Sequence, residues 1–281
     1  MIPANFNYEA PSTLNEALSL LAGNEDAKIL AGGHSLLPAM KLRVAQPAML
    51  IDLGRIGGLS YIRDSGEKIA IGAMATHAEI AASKDLHKNS PLLAQAATQI
   101  GDTQVRNRGT IGGALAQAHP AADYPAAVLA LDAEIVACSN SGERMIAASQ
   151  FFTGIFATAL RNDEIITEVR VPKTTGEAVS YTKFHHPASG YAVVGVAVRV
   201  KKSGNKIDMA AVGITGVSEV AYRATAVEKA LRGKPFSSIA DAAEHAAEEA
   251  SVISDVYASA EYRRHLVCVI TKRALEAAAK S

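Results

Sequence analysis

The most constraining feature of the sequence is the stretch "KILAGGHSLLPAMKL", Lys28 to Leu42, in which two glycines separate an apolar run from a helix-like run. Before it, Ser12 can cap a helix that Gly23 is placed to end. The apolar positions of that helix have the three-to-four spacing of one buried face: Leu14, Ala17, Leu18 and Leu21. The runs "AKIL" and "AMLIDL" read as strands, and Pro47 prevents the intervening helix from continuing. The first fifty residues therefore predict a β-α-β unit whose glycine loop joins a strand to a helix.

A loop in this position is a ready anion site, because backbone N–H groups at a helix N-terminus carry partial positive charge. A β-carbon at Gly32 or Gly33 would hold a ligand away from that backbone. An isolated Gly-Gly pair is also a common turn, so this loop alone does not decide between the two interpretations.

A second glycine loop favours the binding interpretation. The stretch "QVRNRGTIGGALAQAHPAADYP", Gln104 to Pro125, contains Gly109, Gly112 and Gly113 and a hydroxyl at Thr110. Two such loops, about eighty residues apart, can close on opposite sides of one pyrophosphate and supply N–H groups from both sides, which predicts a dinucleotide ligand. Neither loop has the G-x-G-x-x-G or the G-x-x-x-x-G-K-[ST] pattern, so the usual nicotinamide and triphosphate sites find no support.

Composition excludes several classes of function. The 28 basic residues balance 28 acidic ones and form no basic run, which argues against a nucleic-acid partner. The N-terminus lacks the pattern of a secretion signal, and no apolar run approaches the roughly 18 residues of a membrane span, so a cytoplasmic protein is expected. Cys138 and Cys268 have no C-x-x-C partner, whereas an iron–sulfur cluster needs about four thiolates. No metal centre is therefore expected in this chain.

Three segments carry a resemblance to a known family: "AGGHSLLPAMKLR", "RNRGTIGGALAQAHPAADYPAAVLALDAEI" and "SAEYRRHLVCVITKRALE". With them the chain resembles, over nearly its whole length, the FAD-binding medium subunit of molybdenum hydroxylases, the carbon monoxide dehydrogenase and xanthine dehydrogenase family. The resemblance implies FAD as the cofactor. It also implies two partners, a small [2Fe-2S] subunit and a large molybdopterin subunit, in a dimer of heterotrimers. The chain would pass electrons from the clusters to NAD, oxygen or a quinone.

The resemblance also implies which residues bind the cofactor. Residues 32–35 would lie at the pyrophosphate, Asp123 would hydrogen-bond the nucleotide part, Lys183 would lie near the flavin ring, and Tyr191 would shield that ring. The full expected set is Lys28, Ile29, Leu30, Ala31, Gly32, Gly33, His34, Ser35, Leu36, Ile100, Thr110, Ile111, Gly112, Gly113, Ala114, Asp123, Ile165, Ile166, Lys183 and Tyr191. No separate catalytic residue is expected.

Four positions depart from the pattern of this family. Many relatives carry an arginine and an aspartate where this chain has Pro187 and Gly190, and a polar residue where it has Ala114. His119 stands in place of a small or acidic residue. These changes concern the contacts to the flavin ring and the identity of the electron acceptor more than FAD binding itself.

Other polar groups have structural interpretations. The stretch 76–79, Thr-His-Ala-Glu, has the spacing of a capping box, which is favoured over a Thr/His/Glu catalytic set. The pair His185-His186 would point to opposite faces of a strand, which argues against a shared metal site. Arg106 and Arg108 would neutralise phosphates or would belong to a solvated loop, and the sequence leaves both interpretations open.

The expected fold class is α+β. We expect a two-lobed FAD-binding domain of the vanillyl-alcohol oxidase/PCMH type over residues 1–172, with lobes of about 1–55 and 56–172, and a C-terminal domain of the CO dehydrogenase flavoprotein type over 177–281. In the second lobe a helix capped at Ser90 should end at Gly101. In the C-terminal domain "YAVVGVAVRV" and "KIDMAAVGITGV" predict a hairpin, and a long helix should begin near Ser259.

Two alternative functions remain open. One is a non-enzymatic nucleotide-binding module, which would show no flavin after gentle purification. A self-sufficient FAD-dependent oxidoreductase of the wider vanillyl-alcohol oxidase superfamily would use the same cofactor without partner subunits. Such an enzyme needs its own acid or base for the substrate, and the last hundred or so residues contain no convincing set of this kind.

Overall fold

The computed structural model describes residues 1–280, and its N-terminal part is the predicted β-α-β unit. Its elements are β1 (Asn7–Glu9), α1 (Leu14–Ala22), β2 (Ala27–Leu30), α2 (Leu36–Lys41) and β3 (Met49–Asp52). The strands are parallel, in the order β1-β3-β2. The predicted cap of α1 is wrong by one residue, because Thr13 accepts the Glu16 N–H while Ser12 donates to the Glu16 carboxylate. Helix α1 ends at Gly23, as predicted.

The next part of the chain is an antiparallel sheet covered by short helices. Its strands are β4 (Ile62–Ser65), β5 (Lys68–Gly72), β6 (Glu134–Ser139), β7 (Gly142–Ala147), the hairpin β8 (Phe152–Gly154) and β9 (Ala157–Thr158), and β10 (Ile165–Pro172). Its helices are α3 (His77–Ala82), α4 (Lys84–Asn89), α5 (Pro91–Thr98), α6 (Thr103–Arg106), α7 (Ile111–Gln117), α8 (Asp123–Ala130) and α9 (Ala148–Phe151). The main sheet has the order β4-β5-β10-β6-β7.

Two details of this part differ from the sequence prediction. The Ser90 side chain makes no capping hydrogen bond to α5, although Pro91 occupies the first turn as expected. The last residue of α5 is Thr98 and its C-cap is Gln99, so the helix stops before Gly101, which has a positive φ of 47° and belongs to the following turn.

The C-terminal part is a second antiparallel sheet with helices on it. Its elements are β11 (Ala178–His185), β12 (Ala192–Ser203), β13 (Lys206–Thr215), β14 (Tyr222–Arg223), α10 (Thr225–Leu231), α11 (Ile239–Ala243) and α12 (Ala260–Lys280). The predicted hairpin of β12 and β13 is confirmed, and the long helix begins one residue after Ser259. Val267, Ile270 and Ala274 of α12 are buried against the valines of β12, so this sheet and helix share one apolar core.

Helix α8 joins the two antiparallel sheets. All eight of its residues are buried, and it packs against β12 and β13. A β-carbon at Gly213 would lie 2.9 Å from the carbonyl carbon of Ala126, so the glycine permits the two backbones to touch. Asp123, the first residue of α8, is hydrogen-bonded to Tyr181 and Lys183 of strand β11. Within residues 1–280 no helix is both long enough and apolar enough to span a membrane.

Candidate functional site

The structure brings the two glycine loops together. A β-carbon at Gly32 would lie 2.7 Å from the Gly109 Cα atom, well inside van der Waals contact. A β-carbon at Gly109 would in turn lie 2.8 Å from the Cδ2 atom of His77. Gly32 is therefore required where the backbones of the two loops meet, and Gly109 where its backbone packs against the His77 ring.

The first loop offers backbone donors. The N–H groups of residues 32–36 donate no hydrogen bond within the described chain, and Ser35 precedes α2 without a side-chain cap. Gly33 has a φ of +79°, a left-handed conformation that glycine adopts easily, and so it is needed for the turn itself. Five consecutive unpaired N–H groups ahead of a helix form a binding surface for an anion.

In the second loop the backbone N–H groups of residues 111–114 are already hydrogen-bonded within the protein. The N–H groups of Ile111 and Gly112 donate to the carbonyls of Ala75 and Ala73 at 3.0 and 2.9 Å. That of Gly113 donates to the Thr110 hydroxyl at 3.2 Å, and that of Ala114 to the Thr110 carbonyl. The prediction that both loops supply free N–H groups is therefore wrong for residues 111–114. This loop instead presents the half-buried surface of Gly113 and Ala114 beside Ala31.

Asp123 lies in a buried ion pair. The Lys183 ammonium donates to its carboxylate at 2.9 Å and to the Gln99 carbonyl at 2.9 Å, and the Tyr181 hydroxyl donates to it at 2.5 Å. The side chains of Asp123 and Lys183 are 4% and 1% exposed. Burial raises the pKa of the Asp123 carboxyl, whereas Lys183 and Tyr181 act in the opposite direction. Each carboxylate oxygen of Asp123 therefore has a protein partner, Tyr181 on one and Lys183 on the other.

Sequence reasoning missed Tyr181. The residue lies two positions before Lys183 on β11, and side chains at this spacing share one face of a strand. Burial and the Asp123 carboxylate raise the pKa of the Tyr181 phenol well above its ordinary value, so it stays a proton donor to Asp123. The alternation of side chains between the two faces of β11 is the sequence signal that could have placed Tyr181 beside Lys183.

Tyr191 lies beside the first glycine loop. Its side chain lies beside that of Ser35, and the residue is 39% exposed. Burial raises the pKa of its phenol, and the Ser35 side chain acts in the opposite direction. The ring stacks on His119 with a centroid separation of 4.3 Å and an interplanar angle of 11°. The expected site residue Tyr191 is thus brought to Ser35, and His119 covers one of its faces.

The remaining expected residues fall into two groups. Lys28 and His34 are exposed, and Ile29, Leu30, Leu36 and Ile100 are half-buried, around the first loop or near Gln99. Ile165 and Ile166 are 3% and 5% exposed, and because they are adjacent on β10 they face two different cores. Their side chains therefore pack within the protein and not on its surface.

The arginines of the second loop have separate environments. Arg106 donates to the carbonyls of Ile100 and Gly101, each at 2.9 Å, so its guanidinium holds the turn after α5. Arg108 is exposed, and its carbonyl lies against Gly32. A β-carbon at Gly190 would lie 3.8 Å from the Gly101 Cα atom, which places the loop with Pro187 and Gly190 against the same turn.

The stretch 76–79 is the predicted capping box. Thr76 accepts the Glu79 N–H, and the Glu79 carboxylate accepts the Thr76 N–H. His185 is exposed, and His186 contacts Ser189 and the ring of Tyr257. In the part of the chain that the structure describes, no group of three His, Cys, Asp or Glu side chains is arranged to hold a metal ion.

His77 should make stability depend on pH. Burial, with smaller effects of His34 and Arg106, lowers its pKa to about 4 from an ordinary value of 6.5. Between these values the unfolded chain binds a proton that the folded chain does not, so stability is lost as pH falls below about 6.5. Urea unfolding at pH 7 and pH 5 should show the wild type losing about 2 kcal/mol more than His77→Gln. An equal loss in both proteins would contradict the assignment, and exposed His265→Gln is the control.

Two family models account for nearly the whole chain. Residues 4–174 match the FAD binding domain in molybdopterin dehydrogenase. Residues 179–278 match the CO dehydrogenase flavoprotein C-terminal domain. The chain belongs to this family. It is an FAD-binding medium subunit of the molybdenum hydroxylase type and an oxidoreductase, as the resemblance of its motifs predicts.

Known proteins match this chain along nearly its full length. The carbon monoxide dehydrogenase medium chain of Hydrogenophaga pseudoflava is 41% identical, covering 99% of this chain and 98% of that protein. The glyceraldehyde dehydrogenase medium chain of Sulfolobus acidocaldarius is 37% identical, covering 98% and 99%. The solved structure of carbon monoxide dehydrogenase from Hydrogenophaga pseudoflava superimposes with a TM-score of 0.97 and 41% identity, over 100% of this chain and 99% of that one.

The residues of this chain fit the family cofactor. FAD carries a pyrophosphate, and the five unpaired N–H groups of residues 32–36 form the kind of surface that binds one. Gly113 leaves room beside Ala31 on the opposite side, where a β-carbon would lie 3.5 Å from that of Ala31. The first glycine loop is therefore compatible with the pyrophosphate of FAD.

Proposed function

We propose that this chain carries electrons, through bound FAD, from the [2Fe-2S] clusters of a small partner subunit to NAD, oxygen or a quinone. The large partner would hold the molybdopterin and oxidise the substrate, in a cytoplasmic dimer of heterotrimers. The observation that carries the proposal is the row of unpaired N–H groups at residues 32–36. Relatives named as medium chains or subunits of dehydrogenases and a nicotine hydroxylase support the assembly.

Different residues have different roles in the proposed site. The cofactor itself supplies the exchange between single-electron and paired-electron transfer. Residues 32–35 would bind the pyrophosphate, with Thr110, Gly112 and Gly113 on its other side. The Asp123–Lys183 pair would hold the Gln99 carbonyl, and so the turn at Ile100, in place beside the flavin. Residues 1–172 would form the FAD-binding domain, and 177–281 the C-terminal domain.

The chain itself lacks what substrate oxidation needs. Cys138 and Cys268 are both free, one buried and one half-buried, so they cannot ligate a cluster that needs about four thiolates. Hydroxylation therefore depends on the partner subunits, and the substrate is selected there.

The division of labour is directly testable. We expect the isolated subunit with FAD to pass electrons from NADH or an artificial donor to a dye, and to oxidise no aldehyde, purine, carbon monoxide or N-heterocycle. Adding the cluster and molybdenum subunits should let substrate bleach the flavin absorbance under anaerobic conditions. If an organic substrate bleaches the flavin of the isolated subunit, the chain is a self-sufficient flavoenzyme and the proposal fails.

A further inference from the structure

His119 lies at the centre of an aromatic group next to the FAD site. One of its faces stacks on Tyr191 at 4.3 Å, and the Phe156 ring meets it edge-on at 5.2 Å with an interplanar angle of 80°. Edge-on and stacked contacts at such distances are both favourable for aromatic pairs. The imidazole is therefore held on two sides, and Tyr191 is held through it.

The backbone around this group has an unusual conformation. Ala118, just before His119, and Phe156 both have positive φ values, of 45° and 53°. Non-glycine residues rarely adopt this conformation, and it is retained only where surrounding contacts stabilise it. Phe156 is also 53% exposed, at the tip of the β8–β9 hairpin. Two strained positions thus place His119 and Phe156 on the same side of Tyr191.

The protonation state of His119 suits a stacking role. Its Nδ1 atom accepts the Ala121 N–H at 3.0 Å, so the proton of the neutral ring is on Nε2. Burial lowers the pKa of His119, and the ring is neutral at physiological pH. A neutral planar ring can pack face to face with Tyr191 without placing a charge beside the flavin.

The stack lies next to the first glycine loop. The Tyr191 phenol lies beside the side chain of Ser35, in the loop with the unpaired N–H groups. The Tyr191 carbonyl accepts the His186 N–H at 2.8 Å, which fixes its backbone but not the plane of its ring. The contact that bears on the plane of the ring is the parallel stack with His119.

We infer that His119 is a positioning residue, which fixes the plane of the Tyr191 ring against the isoalloxazine ring of bound FAD. Phe156 assists by holding the edge of the imidazole. The inference rests on the proposed function, because Tyr191 acts on the flavin only if FAD binds between the glycine loops. His119 therefore has a role at the flavin, although His119 departs from the small or acidic residue that the family pattern has there.

Three variants and a control separate the ring of His119 from its hydrogen bond. His119→Phe keeps a stacking ring and loses the Nδ1 acceptor, whereas His119→Asn keeps a local acceptor for the Ala121 N–H and loses the ring. His119→Ala removes both, and exposed His265→Asn on α12 is the matched control. The readouts are the fluorescence of bound flavin, its visible spectrum and the dissociation constant for FAD, measured on the full-length subunit.

The inference predicts how the His119 variants rank in their effect on the flavin. His119→Phe should resemble the wild type, and His119→Asn should resemble His119→Ala, with altered flavin fluorescence and roughly two- to tenfold weaker FAD binding, the range expected for an aromatic pair. Combining His119→Asn with Tyr191→Leu should add little to Tyr191→Leu alone, because coupled residues are not additive.

Two outcomes would overturn the inference. If His119→Asn matches the wild type and His119→Phe does not, His119 only closes a local turn. If all variants bind FAD with unchanged spectra and fluorescence, His119 does not position Tyr191, although the proposed FAD site stands. Failure of the proposed function is distinguishable, because the wild-type subunit would then either bind no FAD or have its flavin bleached by an organic substrate without partners.

Discussion

Asp123→Ala is expected to lower the free energy of unfolding by about 3–5 kcal/mol, the range for removing one partner of a buried ion pair. The variant leaves the Lys183 ammonium, whose side chain is 1% exposed, with the Gln99 carbonyl as its remaining acceptor. It also leaves the Tyr181 hydroxyl without its acceptor. Urea denaturation of the subunit without added FAD measures the loss.

Two further variants show whether the ion pair is responsible. Removing both charges in Asp123→Ala/Lys183→Met should restore part of the lost stability, because no unpaired buried charge remains. Tyr181→Phe should cost less, about 1–3 kcal/mol, since it removes one hydrogen bond to a group that stays paired. If Asp123→Ala unfolds like the wild type and only binds FAD more weakly, Asp123 acts on the nucleotide directly and the structural role is wrong.

Gly32→Ala is expected to abolish tight FAD binding. The new β-carbon would meet the backbone of Gly109 at 2.7 Å, and backbone cannot move aside as a flexible side chain can. Overpacking of this kind typically costs about 1–3 kcal/mol, which corresponds to roughly a ten- to hundredfold loss if it acts on FAD affinity. The purified variant should lack the yellow cofactor, and titration with FAD should give the raised dissociation constant.

Two other glycines serve as graded controls. Gly57→Ala should be neutral, because a β-carbon there meets no atom within 4 Å. Gly113→Ala should be intermediate, since its β-carbon would contact the Thr110 hydroxyl at 2.9 Å and Ala31 at 3.5 Å. Equal FAD affinity in Gly32→Ala and Gly57→Ala would show that the contact between the two loops does not shape the site.

The elements around the first loop could be predicted from sequence because their signals are local. The apolar spacing of α1, the strands "AKIL" and "AMLIDL", and the capping box at 76–79 all depend on residues within one or two turns of each other. The errors in these predictions are equally local. In the cap of α1, for example, Thr13 and not Ser12 accepts the hydrogen bond. The family and its cofactor also follow from contiguous motifs.

The sequence names candidate residues but not their contacts. Tyr191 lies beside Ser35 of the first loop and Lys183 pairs with Asp123, and these partners come from distant parts of the chain. Tyr181 and Asp123 are 58 residues apart, and no local pattern states that one donates to the other. Which charges neutralise each other, and which oxygens remain free, depends on how β11 packs beside α8.

The glycine loops show most clearly what the sequence determined and what the tertiary structure determined. The sequence by itself determined that glycine pairs stand at residues 32–33 and 112–113, a pattern that predicts a dinucleotide ligand. Only the tertiary structure decided that the first loop keeps its N–H groups unpaired, while the second donates its own to Ala73 and Ala75. The physical reason is that a backbone donor is identical at every residue, so its availability depends on which acceptor the folded chain brings within about 3 Å.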